Sequence, residues 1–212
     1  MDEARQTAGA APRRRTQGER SRETREKLLQ ATLAVLLDRG YAGLTTALVD
    51  AQAGVSSGAR VHHFPSKGDL VIAATIHAYE QAGERGRRRA EMAKTDPDPL
   101  RCFVQDCRSI YFDWPFLVAI EVIVTARTDP ALMERIHPVM EHFRITMNAV
   151  WTATLEAAGF PRAAAARELD LTLNLIRGMA VNSLWRHDRD HYDRLLDDWL
   201  AERQQQRPQT PR

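Results

Sequence analysis

The segment from residue 45 to residue 67 constrains the fold most, because signals that start and stop helices follow one another there at short intervals. Residue types that cap helix N-termini recur in it: Thr45 or Thr46, then Ser56, then Ser66. Gly54 can adopt the left-handed backbone of a tight turn, and Pro65 cannot extend a helix that precedes it. The spacing therefore predicts two short helices, the first reaching Gln52 and the second His63, followed by a longer third helix.

The pattern of apolar residues in the rest of the sequence predicts a succession of helices. Before the short pair, leucines repeat at helical spacing up to Gly40, a plausible C-cap. Leu169 to Leu175 alternate as a strand would, but the alanine run before them favours a helix that is apolar on two sides. We expect an all-α protein of about nine helices: an N-terminal three-helix domain plus a C-terminal helical domain. After the long fourth helix, the predicted helices cover about 99–112, 116–127, 130–158, 161–186 and 189–205.

The charge distribution supports a division near Lys67. The whole chain carries a formal net charge of +2. Residues 1–67 hold 11 Lys and Arg against 7 Asp and Glu, a net of +4, whereas the remainder holds 19 against 21, a net of −2. A basic head fits binding to a polyanion, although a solvated tail that aids solubility fits equally well. The predicted units are a disordered basic arm, an N-terminal helical domain, a C-terminal helical body and a tail, over 1–20, 21–67, 68–205 and 206–212.

Cysteine usage and hydropathy exclude several classes of protein. Five residues place Cys102 and Cys107 about 140° apart around one helix, so we expect reduced thiols rather than a disulfide. The N-terminus lacks the apolar region of a secretory signal. The longest apolar stretch, Phe116 to Ala126, is interrupted by Glu121 and is shorter than the ~20 residues of a membrane span. We expect a cytoplasmic protein without a membrane partner.

Two short helices joined by a glycine turn form a helix-turn-helix unit. In such a unit the second helix enters the DNA major groove while the first crosses the phosphate backbone. Small apolar side chains at Val49, Ala53 and Val55 would hold the two helices together. Helix-turn-helix units of this kind are common, so the function has to be inferred from the residues around the unit as well.

Residues 25–70 resemble the DNA-binding domain of the TetR family of bacterial repressors. The matching features, in order, are the first helix ending in Gly40-Tyr41, Thr45, the run Ala53-Gly54-Val55-Ser56, Gly58, His63-Phe64 and Ser66-Lys67. The resemblance implies phosphate contacts from Thr45, Ser56, His63 and Lys67, and a groove-facing side formed by Ser57, Gly58 and Ala59. Arg60 and His62 complete the set of predicted DNA-binding residues. Hydroxyls and amides at two helix N-termini suit phosphate binding, and small residues let the backbone approach base edges.

Three positions depart from the family pattern. Val61 stands where the family usually has a tyrosine, which removes a hydrogen bond to phosphate. Arg60 stands where an apolar residue is usual, and it would either replace that hydrogen bond or read a guanine. Asp50 replaces a small apolar residue and could pair with Arg60 or Lys67.

The resemblance implies that the C-terminal body binds an effector and that its last two helices form a homodimer. An adaptable apolar pocket would use Met and aromatic side chains with a few polar groups. The candidates are Phe103, Cys107, Tyr111, Trp114, Phe116, Met140, Phe143, Met147, Trp151, Asn174, Arg177 and Met179. Each of them also fits a plain core position. Arg177 is the most specific of these candidates, because a cation inside an apolar helix needs a partner, either Asp170 or an anionic effector.

Two other patterns suggest different chemistry. Residues 54–58 satisfy the G-x-S-x-G pattern of hydrolases, but that elbow needs a strand before its serine, and a helix is predicted there. His187 and His191 have the spacing of helical metal ligands, yet a solvated turn explains them as well.

We expect no enzyme, metal or cofactor, and favour a repressor that a small molecule releases from a palindromic operator. The alternatives are an activator or ligand-independent regulator of the same fold, or a small all-α enzyme or binding protein.

Overall fold

In the computed structural model, residues 16–205 are described, and over that range the chain forms nine α-helices and no strand. The predicted all-α fold is confirmed, and most helices begin and end within three residues of their predicted limits. The helices are α1 Gln17–Gly43, α2 Thr46–Ala53, α3 Ser57–His63, α4 Lys67–Ala93, α5 Pro99–Tyr111, α6 Trp114–Ala126, α7 Pro130–Ala157, α8 Arg162–Ser183 and α9 Arg189–Gln205.

The three short-range caps of the N-terminal region are confirmed. The Thr45 hydroxyl accepts the N–H of Leu48 at 3.2 Å, and the Ser56 hydroxyl accepts the N–H of Ala59 at 3.3 Å. Ser66 and Asp69 cap α4 reciprocally, each side chain accepting the other residue's backbone N–H. Each cap satisfies a backbone group that a helix start would leave open, so the sequence alone determines where these helices begin.

The first helix starts earlier than predicted. Thr16 caps it, with Glu19 reaching back to the Thr16 N–H at 2.7 Å, so residues 17–20 are helical rather than part of an arm. The rest of the predicted arm, residues 1–15, and the predicted tail 206–212 lie outside the described residues. At its other end α1 is broken by Gly40, whose φ of 64° and ψ of 178° are accessible almost only to glycine.

Two apolar clusters form the core, and neither stops at residue 67. The first joins α1, α2, the N-terminal part of α4, α6 and the start of α7. The second joins the C-terminal part of α4 with α5, α8, α9 and the rest of α7. The long helices α4 and α7 therefore run through both clusters. The division into domains at residue 67 stays a prediction, and the first cluster crosses it.

Helix α8 has apolar residues on two sides, as predicted. Leu169 and Leu173 are buried in the second cluster, whereas Leu171 is exposed on the opposite side. Both cysteines carry free thiols on α5, as expected. In the described range, no single helix is long and apolar enough to cross a membrane; α5 and α6 reach that limit only as a pair, bent by 60°.

Candidate nucleic-acid interface and central cavity

Helices α2 and α3 form a compact pair around a glycine turn. Gly54 adopts φ 64° and ψ 37°, the left-handed conformation expected of it. Val49 is fully buried, and Ala53 and Val55 pack partly buried against the first core cluster. The Val55 N–H also donates to the Asp50 carbonyl at 3.0 Å, which holds the turn closed. The predicted helix-turn-helix geometry is present.

The outer face of α3 consists of small and polar residues. Ser56, Ser57, Gly58 and His62 are exposed, and a methyl group added at Gly58 would meet no atom within 4 Å. Ala59 and His63 are partly buried at its edge. Another molecule can therefore come close to the α3 backbone at Gly58 without displacing a large side chain.

Arg60 does not lie on this exposed face; its role as a DNA contact stays a prediction, which the burial of its side chain does not favour. The residue is only 8% exposed. Its Nε lies 3.0 Å from Asp50 Oδ1 and 3.2 Å from Oδ2, and its Nη1 donates to the Phe64 carbonyl at 3.1 Å. The Ser57 hydroxyl donates to the same carboxylate at 2.8 Å. Of the two partners open to Asp50, the structure selects Arg60, and the pair ties α3 to α2 from inside.

Lys67 and Tyr41 form a second contact at the edge of the motif. Lys67 Nζ donates to the Tyr41 carbonyl at 2.7 Å and lies 4.3 Å from the centre of the Tyr41 ring. Burial lowers the pKa of Lys67. The Tyr41 N–H donates in turn to Glu121 of α6 at 3.0 Å. The turn after Gly40 is thus held by α4 on one side and by α6 on the other.

Sequence reasoning missed Arg25 as a neighbour of α3. Its guanidinium lies 5.6 Å from the centre of the Phe64 ring, directly after α3. Burial lowers the pKa of His63, and the neighbouring side chains of His62 and Arg25 lower it further. Arg25 therefore adds a cation to the C-terminal end of the exposed α3 face. The only signal in the sequence was the cluster of basic residues around it.

A cavity of about 400 Å³ lies among α4, α5, α6 and α7, with one side chain contributed by α8. Of the predicted effector residues, Tyr111, Phe116, Met140, Phe143 and Arg177 line it. Phe103, Cys107, Met147 and Trp151 instead line a small adjoining crevice that also includes Tyr111, Phe143 and Arg177. A further cavity of about 470 Å³ lies beyond Tyr79 and Phe143, between α4 and α7.

Three predicted effector residues lie elsewhere. Trp114 packs against the first core cluster, and Met179 packs against the second. The Asn174 amide donates to the carbonyl of Asp170 on the exposed side of α8. None of the three lines either the cavity or the crevice.

Burial shifts the pKa values of several groups that line the cavity and the crevice. Burial raises the pKa of Tyr79 to about 12, and it also raises the pKa of Tyr111. Burial likewise holds the pKa of the Cys107 thiol well above its usual value. Arg177 Nε donates to the Tyr111 hydroxyl at 3.1 Å. The partner of Arg177 is therefore a phenol, and not Asp170 as one of the two expectations had it.

Trp151 has a structural partner that the sequence did not indicate. Its Nε1 donates at 3.1 Å to Asp106, a buried carboxylate that Arg89 also contacts at 3.1 Å. Burial raises the pKa of Asp106, while Arg89 acts against that rise. This network joins α4, α5 and α7 beside the crevice.

The patterns that suggested other chemistry have structural explanations. Ser56 of the G-x-S-x-G pattern follows helix α2 rather than a strand, and its hydroxyl caps α3, so the hydrolase elbow is excluded at this position. His187 precedes α9 while His191 lies within it. Over residues 16–205 no group of three or more His, Cys, Asp or Glu side chains is arranged to hold a metal ion.

Comparison with known proteins agrees with this geometry. The model of the family described as "Bacterial regulatory proteins, tetR family" matches residues 28–74. The HTH-type transcriptional regulator CymR of Pseudomonas putida is 40% identical over 190 residues, which cover 90% of this chain and 94% of CymR.

Two solved structures share the fold. A TetR-family regulator from Agrobacterium tumefaciens superposes with a TM-score of 0.67 at 22% identity, covering 86% of this chain and 98% of its own. The regulator FadR from Bacillus subtilis, solved in complex with stearoyl-CoA, gives a TM-score of 0.56 at 16% identity, covering 77% and 89%. The helix-turn-helix geometry and the full-length similarity to CymR together show that this chain is a DNA-binding transcriptional regulator of the TetR family.

Proposed function

We propose that this regulator is a homodimeric repressor that leaves its operator when a small molecule fills the cavity among α4, α5, α6 and α7. The observation that carries the proposal is that two helices of the cavity wall also hold the DNA-binding motif. Thr75, Ala78 and Tyr79 of α4 line the cavity, and Lys67 at the start of α4 binds the turn before α2. The proposal assigns no catalytic step to the chain.

The exposed side of the helix-turn-helix is the proposed DNA contact. Phosphates would be bound by Thr45, Ser56, His63 and Lys67, whose ammonium group keeps donors beyond the one given to Tyr41. Base edges would meet Ser57, Gly58, Ala59 and His62. Arg60 supports this surface from inside and is not part of the proposed contact.

Helix α6 gives the effector a direct connection to the motif. Phe116 and Ala119 of α6 line the cavity, and Glu121 two residues later accepts the Tyr41 N–H. A ligand that shifts α6 would therefore move the turn that precedes α2. A fold of this kind accommodates stearoyl-CoA in FadR, which supports a small-molecule effector here.

Direct DNA binding tests the proposal. The full chain is titrated against labelled duplexes that tile the DNA on both sides of its own gene, with fluorescence anisotropy as the readout. We expect one palindromic duplex to bind about a thousandfold or more tighter than its shuffled version, with an affinity that falls steeply as salt rises. If every duplex binds no better than its shuffled counterpart, the chain is not an operator-binding repressor at this locus.

The unpartnered side of α8 supports dimerisation through α8 and α9. Leu171 of α8 is 48% exposed, and Trp185, in the turn just after α8, is 68% exposed. Leu195 of α9 is also exposed. Large apolar side chains that are exposed together are typical of an interface.

A charge placed on this face should separate the protomers. Leu171→Asp would bury a carboxylate in each half of the interface, so we expect a dimeric chain to become monomeric in light scattering coupled to size-exclusion chromatography. Met92→Asp is the matched control, because Met92 is an exposed apolar residue of α4 away from this face. A Leu171→Asp variant that stays as dimeric as the control would place the interface elsewhere.

A further inference from the structure

The charges around the cavity do not balance. Its lining includes two arginines, Arg144 and Arg177, but one carboxylate, Glu141. Arg144 donates to Glu141 through Nε at 2.8 Å and through a second nitrogen, so these two charges neutralise each other one helical turn apart on α7. The +1 of Arg177 is therefore the arginine charge of the lining that no carboxylate balances.

Arg177 has no charged partner in the chain from residue 16 to residue 205. Its contacts are the Tyr111 hydroxyl, 3.1 Å from Nε, and the face of the Tyr111 ring, 5.3 Å from the guanidinium carbon. No carboxylate of that range lies within 4.0 Å of its guanidinium. Asp106, the carboxylate that shares the crevice with it, is bound by Arg89 and Trp151. A half-buried cation without a counter-ion costs free energy that an anionic ligand would recover.

The neighbours of Arg177 can assist an anion but cannot replace it. Tyr111 and Tyr79 are neutral at pH 7, because burial raises the pKa of both phenols. Since the Tyr111 oxygen accepts from Arg177, its own proton is free to be donated to a ligand. The guanidinium nitrogens other than Nε form a planar pair of donors whose geometry matches a carboxylate.

We propose that the ligand of this cavity is a monocarboxylic acid with an apolar body, whose carboxylate is bound by Arg177 and the Tyr111 hydroxyl. A single negative charge balances the +1 of the lining, whereas a phosphate dianion would leave an excess charge in apolar surroundings. The apolar body would contact Ile110, Phe116, Met140 and Phe143. A volume of about 400 Å³ holds ~13 heavy atoms at ~30 Å³ each, the share of a molecule in liquid water.

This inference rests on the proposed effector role of the cavity, and ligand binding to the free protein tests it. Octanoate and 3-phenylpropionate, each against its own amide, are titrated into the full-length chain at pH 7.5 by isothermal calorimetry. Each amide has nearly the shape of its acid but no charge. We expect at least one acid to bind and its amide to bind about tenfold to a hundredfold more weakly, the range for a hydrogen-bonded charged group.

A variant assigns the effect to Arg177. Arg177→Met should reduce the affinity for the acid by a similar factor while leaving the affinity for the amide unchanged. Arg167→Met is the control, because Arg167 is an exposed arginine of the same helix outside the cavity. The comparison of acid with amide on the unaltered protein needs no variant, so it stands even if Arg177→Met fails to fold.

Three results would overturn the assignment: equal affinity for acid and amide, undiminished acid binding by Arg177→Met, or no binding of either acid at about 10 mM. Operator binding is measured separately on the same protein by anisotropy. Tight operator binding together with any of these results rejects the ligand class alone, whereas loss of operator binding rejects the proposed function.

Discussion

Arg60→Met should lower the free energy of unfolding by about 3–5 kcal/mol, the cost of leaving one partner of a buried ion pair uncompensated. Asp50 would remain charged beneath α3, where it is 7% exposed and where Ser57 alone would still donate to it. The Phe64 carbonyl would also lose the Nη1 donor that now lies 3.1 Å away. Urea unfolding, followed by circular dichroism at fixed protein concentration, measures the change.

Two further variants separate the ion pair from its neighbours. Asp50→Leu combined with Arg60→Met should regain most of the lost stability, because no unpaired charge then stays buried. Arg135→Met is the matched control: Arg135 forms an exposed ion pair with Asp69 at 2.8 Å, and such pairs contribute only about 0–1 kcal/mol. If Arg60→Met costs no more than Arg135→Met, the Asp50–Arg60 pair does not support α3.

The second large effect concerns DNA affinity and should leave stability intact. Gly58→Leu should weaken operator binding at least about a hundredfold, since a bulky side chain would stand between the α3 backbone and the bases. Within the chain the new side chain has open space, because an added Cβ at Gly58 meets nothing within 4 Å. Leucine is also the better helix former by roughly 0.5–1 kcal/mol, so the variant should unfold at the same temperature or higher.

Anisotropy at one fixed salt concentration measures the affinity of Gly58→Leu, and a thermal melt confirms that it is folded. Ala157→Leu adds a leucine to an exposed helical position at the C-terminal end of α7, outside the helix-turn-helix, and should bind DNA as the unaltered chain does. Undiminished affinity of Gly58→Leu would mean that this side of α3 does not enter the groove.

Helix positions were predictable because their determinants are local. Thr45, Ser56 and Ser66 bond to backbone groups three residues away, and Gly54 meets the backbone requirement of its own turn. Such contacts are contained within any short stretch of sequence. The start of α1 was placed too late because the cap at Thr16 precedes a polar turn that shows no apolar periodicity.

The role of Arg60 was not predictable from its position on a short helix. An arginine six residues after the turn glycine Gly54 is expected to contact DNA until the burial of its side chain is known. The departure of Asp50 from the family pattern was the useful signal, because two unusual and oppositely charged residues on adjoining helices indicated a pair. Which of Arg60 and Lys67 completes that pair depends on three-dimensional packing.

The sequence predicted which types of residue line the cavity, but not which side of each helix faces it. Met and aromatic residues of α5, α6 and α7 were candidates throughout, yet only packing shows that Trp114 faces the first core cluster while Phe116 faces the cavity. Glu121 was visible in the sequence as the carboxylate that interrupts an apolar stretch. Its partner, the Tyr41 N–H, lies 80 positions away in sequence and could not be inferred.

The turn at Gly40 and Tyr41 has a consequence for building hybrid regulators. Exchanging sensor bodies between such proteins by cutting the chain at residue 67 would separate Tyr41 from Glu121 and would divide a core cluster that α1 shares with α6 and α7. A functional hybrid has to transplant the recognition head together with the α6 surface that faces it. The modular unit for engineering is therefore a set of contacting surfaces, and a single cut in the sequence cannot isolate it.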